Sequence, residues 1–158
     1  MADAGAVYRA LAPAVLGYLR AQGAREPEDL LGEVFVQVAR DLHRFRGDDT
    51  ALRRWVFSIA HNRVVDEGRR RARRPSTVGL EQSPDPVAPA DVSASLDPEL
   101  VAALATLTPE QREVLTLRFV ADLPLEQVAR IMRLRVGAVK ALQHRALENL
   151  RTAVSPET

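Results

Sequence analysis

Residues 124–145, which read PLEQVARIMRLRVGAVKALQHR, decide the fold class of this chain. Apolar residues recur every three or four positions on both sides of Arg133-Leu134-Arg135, which predicts helices over about 124–132 and 136–152. Ala129 places a small side chain where the two helices would cross. Two helices across a three-residue turn form a helix-turn-helix pattern, so this part of the chain is predicted to be all helical.

The segment that precedes this pattern carries two helix start signals. Asp97-Pro98-Glu99 is predicted to cap a short helix that bears Leu100, Val101 and Leu104. Thr108-Pro109-Glu110-Gln111 is a capping box with proline at the first helical position. The helix that it opens carries Val114, Leu115, Phe119 and Val120, which makes 97–158 one small helical domain.

A second group of helices is predicted nearer the N-terminus, over residues 1–74. One helix covers about 5–22, a second begins near Pro27, and a third begins with Asp49 or Thr50 as its N-cap and ends in the arginine-rich run 69–74. Each has an apolar face at helical spacing. The inward residues are Val7, Leu11, Val15 and Leu19; then Leu30, Leu31, Val34, Phe35, Val38 and Leu42; then Leu52, Trp55, Val56 and Ile59.

The net charge of +1 hides an uneven distribution. Residues 1–74 carry 14 arginines against 10 acidic residues, and residues 100–158 carry 8 basic against 6 acidic residues. Residues 75–99 hold five acidic residues and no lysine or arginine, and four prolines fall within 75–96. We therefore predict an all-α chain in which two small helical domains are joined by a flexible, acidic, proline-rich linker over 75–96.

Enzyme chemistry is not indicated by the sequence. Cysteine is absent, and His43, His61 and His144 lack partners at metal-ligand spacing. Ser58 has no nucleophile-elbow context, and no glycine-rich phosphate loop is present. We expect no catalytic residue, metal, cofactor or small-molecule substrate. Without an apolar leader or a long apolar run, the chain is expected to be cytoplasmic.

Two features favour nucleic acid as a partner. The second helix of a helix-turn-helix unit enters the major groove, although a plain helical hairpin with a charged, solvated face would show the same periodicity. The arginine run 69–74 could also be a solvated helix end that complements the helix dipole, but its density favours nucleic acid. Trp55 could stack on an unpaired base; its position on the apolar face favours core packing instead.

Several longer stretches resemble the bacterial extracytoplasmic-function (ECF, group 4) sigma factors of RNA polymerase. Residues 28–36 (EDLLGEVFV), 45–47 (FRG) and 52–66 (LRRWVFSIAHNRVVD) are similar to the first conserved domain of that family. Residues 107–115 (LTPEQREVL) and 137–140 (GAVK) resemble the second. The second resemblance is shared with response-regulator DNA-binding domains, and the first makes the identification specific.

The resemblance implies a division of labour between three surfaces. Core RNA polymerase would be bound through the second helix, the −10 element of promoter DNA through a loop and the third helix, and the −35 element through the last helix. The core polymerase-binding residues would be Asp29, Leu30, Glu33, Val34 and Val36. The −10-binding residues would be Arg46, Gly47, Asp48, Asp49, Thr50, Ala51, Arg53, Arg54, Asn62, Arg63 and Asp66. The −35-binding residues would be Arg135, Ala138, Lys140, Ala141, Gln143, His144 and Arg145.

The resemblance also implies regulation, since such factors are commonly held inactive by an anti-sigma factor, often a membrane-anchored one.

Two departures from the family pattern concern the last two helices. Arg133 stands where the turn usually has glycine, so a left-handed backbone there would cost up to about 1–2 kcal/mol. Ala138 replaces the usual threonine.

Two other functions would also be consistent with the sequence. One is a stand-alone helix-turn-helix transcriptional regulator, which needs no polymerase-docking helix, and the other is a protein whose basic surfaces bind an acidic partner.

Overall fold

The structure, a computed structural model, describes residues 3–73 and 97–154, and every regular element in these ranges is helical. The all-α prediction is confirmed there, and the predicted linker 75–96 lies outside the described residues. The elements are α1 (Ala4–Ala21), α2 (Pro27–Asp41), a 3₁₀ turn (Leu42–Arg44), α3 (Asp49–Arg73), α4 (Pro98–Ala105), α5 (Pro109–Leu115), a π-helical turn (Thr116–Val120), α6 (Leu125–Met132) and α7 (Val136–Val154).

The N-terminal domain is built from α1, α2 and α3. Helix α1 begins where the carboxylate of Asp3 accepts a hydrogen bond from the Ala6 amide at 2.8 Å, and α2 begins at Pro27. The predicted apolar faces of both helices turn inward, where they meet buried residues of α3. The buried set comprises Val7, Leu11, Val15 and Leu19 of α1, Leu30, Leu31, Val34, Phe35 and Val38 of α2, and Val56, Phe57, Ile59 and Ala60 of α3.

The N-cap of α3 lies one residue earlier than predicted. The Asp48 carboxylate accepts a hydrogen bond from the Ala51 amide at 2.9 Å, and the Asp48 carbonyl accepts one from Leu52. Asp48 is therefore the N-cap, and the prediction of Asp49 or Thr50 was wrong. The carboxylate of Asp48 reaches the third helical amide, which leaves Asp49 as the first residue of the helix.

The first two helices of the C-terminal domain begin at the capping residues that the sequence predicts. The Asp97 carboxylate accepts from the Glu99 amide at 3.1 Å, and Thr108 and Gln111 form the reciprocal capping box. The sequence did not predict how α4 ends. The Arg112 guanidinium donates to the carbonyls of Leu104 and Leu107 at 3.0 and 2.9 Å, which ties α5 to the end of α4 and to the turn that follows it.

A π-helical turn after α5 changes which residues face the core. Four-residue spacing would place Phe119 on the same face as Leu115, but the wider turn over Thr116–Val120 rotates the backbone. Leu117 is fully buried as a result, whereas Phe119 is 58% exposed and lies against the Arg118 guanidinium, 5.3 Å from its ring centroid. The predicted helix thus ends at Leu115, and Phe119 is not a core residue.

The helix-turn-helix prediction is confirmed by α6 and α7. Ala129 is buried at the crossing of the two helices. Arg133 adopts the left-handed conformation (φ 60°, ψ 44°) that glycine favours, and the Leu134 amide closes the end of α6 by donating to the Ala129 carbonyl at 3.0 Å. Val139 is fully buried and Val136 and Leu142 are half-buried, so the inward stripe of α7 lies as predicted.

The two domains pack directly against each other. Helix α1 contacts α4 and the π-helical turn, and α3 contacts α6, so that the buried residues of both domains form one continuous cluster. No helix within the described ranges is long and apolar enough to cross a membrane.

Candidate nucleic-acid interface

The loop between the 3₁₀ turn and α3 is held in a compact shape. Phe45 and Trp55 stack with ring centroids 5.4 Å apart, and the Arg46 guanidinium donates to the Phe45 carbonyl at 3.0 Å. Gly47 has φ +151°, and a Cβ there would lie 2.8 Å from the Ala51 Cβ and 2.9 Å from Phe45 Cζ. Only glycine fits this position without a shift. Trp55 also packs on the core, so it serves the core and the loop together.

The predicted −10-binding residues of α3 do not share one face. Arg54, Asn62 and Asp66 line a cleft on the side that faces the C-terminal domain. Arg63 follows Asn62 and lies about 100° further around the helix. Its guanidinium donates to Gln37 of α2 at 2.8 Å and lies 3.6 Å from the Glu33 carboxylate. The structure therefore places Arg63 as a brace between α3 and α2, apart from the other three.

The C-terminal domain covers part of the same surface. Residues 130–133, at the end of α6, form the opposite wall of the cleft that Arg54 lines. The Arg53 guanidinium points to the Ala121 carbonyl, with 3.5 Å between Nη1 and the oxygen. A long DNA strand lying along this face of α3 would meet α6. Sequence periodicity could not indicate this overlap, because it arises from contacts between the domains.

Most of the predicted −35-binding residues lie on the open surface of α7 and the turn before it. Gln143 differs from the others: it is half-buried, and its side-chain oxygen is buried without a hydrogen-bond partner. His144 lies 3.5 Å from the Glu148 carboxylate, one turn along the helix. The exposed members are Arg135, Ala138, Lys140, Ala141, His144 and Arg145.

The predicted polymerase-binding residues divide between surface and core. Leu30 and Val34 are buried between the helices of the domain, so they support the surface from below. Asp29, Glu33 and Val36 are exposed, and Val36 is exposed by 62%. Tyr8 of α1, which the prediction omitted, is 45% exposed and packs edge-on against Phe35 at 5.0 Å. An aromatic residue beside the inward stripe of α1 was the only signal for it in the sequence.

A buried polar cluster joins the two domains around Glu113. The Tyr18 hydroxyl donates to Glu113 Oε2, and Nδ1 of His61 lies 2.9 Å from the same oxygen. Beside them, the Gln22 amide donates to the Thr116 hydroxyl at 2.6 Å. Burial raises the pKa of the Tyr18 hydroxyl well above its usual value, and the negative charge of Glu113 adds to the shift. The tyrosine is therefore a neutral donor to the carboxylate.

The Glu113 cluster could not be found from the sequence. Tyr18 and Glu113 are separated by 95 positions, and His61 and Glu113 by 52. No spacing motif relates such residues.

Among the arginines of the run 69–74, Arg71 pairs with Glu67 at 3.2 Å, and Arg69, Arg70 and Arg71 are exposed.

Comparison with known proteins explains this pair of domains. Residues 7–74 match the Sigma-70 region 2 family, and residues 103–152 match Sigma-70 region 4. The chain is 34% identical to the ECF RNA polymerase sigma factor ShbA of Streptomyces griseus, over 94% of this chain and 87% of that protein.

Two solved structures share the fold. The sigma factor RpoE from Bartonella quintana, solved with the anti-sigma factor NepR, has a TM-score of 0.77 and 24% identity, with 93% of each chain covered. CnrH, solved with the cytosolic domain of CnrY, has a TM-score of 0.69 and 21% identity, covering 98% of this chain and 89% of CnrH. From the two matched regions and the similarity to ShbA, it follows that the chain belongs to the ECF sigma factors, which are transcription initiation factors.

Proposed function

We propose that this chain binds core RNA polymerase, directs it to specific promoters and helps to melt the −10 region. The observation that supports this most strongly is the presence of regions 2 and 4, in that order, on one chain. Within the ECF family we assign it to group 4, on the resemblance of both motifs. It would act in the cytoplasm, where bacterial polymerase and promoters are found, and catalysis would belong to the polymerase.

The surfaces for DNA would be divided between the domains. Helix α7 would lie in the major groove of the −35 element, where its exposed N-terminal residues, including Arg135 and Lys140, would meet bases and phosphates. The loop from Arg46 to Ala51 would hold an extruded base of the −10 element. Stacked Phe45 and Trp55 brace this loop, so little ordering would be needed on binding.

Polymerase would bind at α2, through a surface formed by Asp29, Glu33 and Val36 together with Tyr8. An apolar centre flanked by carboxylates is suited to a partner surface that presents apolar and basic side chains. The ion pair between Glu33 and Arg63 connects this surface to α3. We therefore propose Arg63 as a positioning residue rather than a direct contact with the DNA strand.

The packed arrangement of the two domains would have to open before the −10 strand could bind. Helix α6 forms the wall opposite Arg54 and Asn62, so the same face cannot hold α6 and a DNA strand at once. Polymerase would shift the equilibrium towards the open state by binding the separated domains more tightly than the packed ones.

We further propose that an anti-sigma factor, which could be membrane-anchored, holds the chain inactive. The sigma factor RpoE, which shares its fold, was solved with the anti-sigma factor NepR, and CnrH, of the same fold, was solved with the cytosolic domain of CnrY. A partner that binds only the packed domains would stabilise the packed state. The −10 surface would then stay covered by α6, although the partner itself does not touch it.

Run-off transcription with core polymerase tests the proposal, using promoter fragments selected from genomic DNA. Promoter-specific transcripts that need the chain are expected. A chain that retards these fragments alone, and yields no transcript with polymerase, would instead be a stand-alone regulator. Arg54→Ala should lower permanganate reactivity of the −10 region while core binding is retained, whereas Arg151→Ala, an exposed control near the end of α7, should leave both unchanged.

A further inference from the structure

The cleft between the two domains collects positive charge. It has a volume of about 580 Å³ and lies between α3 and the end of α6. Arg54 and Arg69 line it from the N-terminal domain, and Arg130 and Arg133 from the C-terminal domain. Among the described residues, Asp66 is the one carboxylate in its lining. The packed domains thus place arginine residues on both sides of the gap.

The guanidinium groups of these four residues form no ion pair within the described part of the chain, although the Asp66 carboxylate also lines the cleft. None of them makes an ion pair or hydrogen bond with another described residue, and Nε of Arg54 is buried without a partner. Other arginines of the chain differ, since Arg63 and Arg112 are each held by acceptors of a neighbouring element. A buried donor without an acceptor and facing like charges both disfavour the packed state.

We propose that this cleft binds a small polyphosphate anion, such as tripolyphosphate or the phosphate chain of a nucleotide, which bridges the two domains. Phosphate oxygens accept bidentate hydrogen bonds from guanidinium groups, and the Asn62 amide, also in the lining, can donate as well. A cleft of this volume falls within the range of about 300–1,000 Å³ that is usual for small-molecule sites.

A compact anion suits the cleft better than a nucleic-acid strand does. A strand carries one charge per phosphate, spread along its length, whereas a polyphosphate concentrates several charges in one place. Because Arg130 and Arg133 line one cleft with Arg54 only when the domains are packed, the anion binds the packed state preferentially. It therefore shifts the chain towards that state. If the proposed −10 surface is correct, the anion also competes with the promoter strand for Arg54 and Asn62.

Isothermal titration calorimetry of the full chain with tripolyphosphate, at fixed ionic strength, tests the site. The test variant carries Arg130→Gln and Arg133→Asn, because asparagine tolerates the left-handed backbone at 133. Its matched control carries Arg40→Gln and Arg44→Gln, which remove the same charge from exposed positions outside the cleft. The cleft variant should bind about tenfold to 100-fold more weakly, and the control should bind like the parent chain.

A second measurement separates a bridging ligand from general screening. Tripolyphosphate should raise the fraction of packed molecules in small-angle X-ray scattering, and sulfate at equal ionic strength should not. Equal loss of affinity in both double variants would overturn the proposal. It would also be overturned if the parent chain bound a single-stranded oligonucleotide through Arg130 and Arg133 but did not bind tripolyphosphate. Neither result depends on polymerase, so failure here leaves the proposed function untouched.

Discussion

The Tyr18 hydroxyl lies 2.5 Å from Oε2 of Glu113, so a tyrosine in the first helix of one domain donates to a carboxylate buried at the surface of the other. The same oxygen contacts His61 of α3, which makes Glu113 the polar centre of the contact between domains. Glu113 is 8% exposed, and a buried carboxylate is stable only while its donors remain in place. The separation of the domains that we propose for DNA binding therefore involves these three side chains.

Replacing Tyr18→Phe should favour separation of the domains. The edge-on packing against Phe57 is kept, while one hydrogen bond to a charged acceptor is lost, worth about 1.5–3 kcal/mol. Because the chain has no cysteine, dyes can be attached at Arg40→Cys and Arg151→Cys, and a fall in energy transfer is expected. Tyr8→Phe, at a half-exposed tyrosine, is the control. Equal transfer in both variants would show that the Tyr18 hydroxyl does not hold the domains together.

Alkaline pH should weaken the fold through Tyr18. Burial, and then the charge of Glu113, raise the pKa of this hydroxyl in the folded protein above its unfolded value. Its contribution to stability is fully present below the unfolded pKa of about 10 and is lost as pH rises above that value. Urea unfolding between pH 8 and pH 11 should show a steeper decline for the parent than for Tyr18→Phe. A Tyr8→Phe protein that lost the steep decline would contradict this assignment.

Gly47→Ala should distort the candidate −10 loop. The added methyl would lie 2.8 Å from Ala51 Cβ at a backbone φ of +151°, and such strain costs about 1–3 kcal/mol. We expect a lower urea midpoint and weaker permanganate reactivity of promoter DNA with polymerase. Gly68→Ala is the matched control, because no atom lies within 4 Å of its Cβ position and α3 continues through it. It should stabilise the chain by about 0.5–1 kcal/mol.

Arg133→Gly should stabilise the C-terminal domain. The left-handed backbone at Arg133 is strained for a side chain with a Cβ, and glycine removes that strain while it adds freedom to the unfolded chain. The expected net gain is about 0.5–1 kcal/mol. Asp122→Gly, at a second left-handed position (φ 61°), should gain less, because aspartate tolerates this conformation. Thermal unfolding of both variants and of the parent chain measures these gains. A lower melting temperature for Arg133→Gly than for the parent would show that the backbone at Arg133 is not strained.

Lys140→Ala should reduce the salt dependence of −35 binding. Lys140 is exposed on α7, and one lost phosphate contact lowers the slope of log K against log salt by about 0.9. Fluorescence anisotropy of holoenzyme on −35 DNA at several salt concentrations measures it. Arg151→Ala, near the far end of the same helix, should leave the slope unchanged. The same slope for Lys140→Ala and the parent would remove Lys140 from the contact surface.

Much of the secondary structure follows from local patterns. The apolar stripes of α1 and α2, the capping box of Thr108 and Gln111, and the turn at Arg133 all appear where the sequence predicts them. The errors are also local. The cap of α3 is Asp48 because its carboxylate reaches the third helical amide, and Phe119 turns outward because a π-helical turn replaces an α-helical one. The promoter and polymerase contacts remain predictions; of the proposed polymerase contacts, Leu30 and Val34 are buried in the core of the domain.

Local sequence patterns were sufficient to predict the α-helices of both domains, most of their starting points and most of their apolar faces. These properties depend on neighbours within about four positions, through capping and helical spacing. Three features arise only when the helices pack together. Glu113 contacts Tyr18 and His61, Arg63 binds side chains of α2, and α6 covers the face of α3 that bears Arg54. Contacts of this kind join residues far apart in the chain, and they form because apolar faces of different helices bury each other.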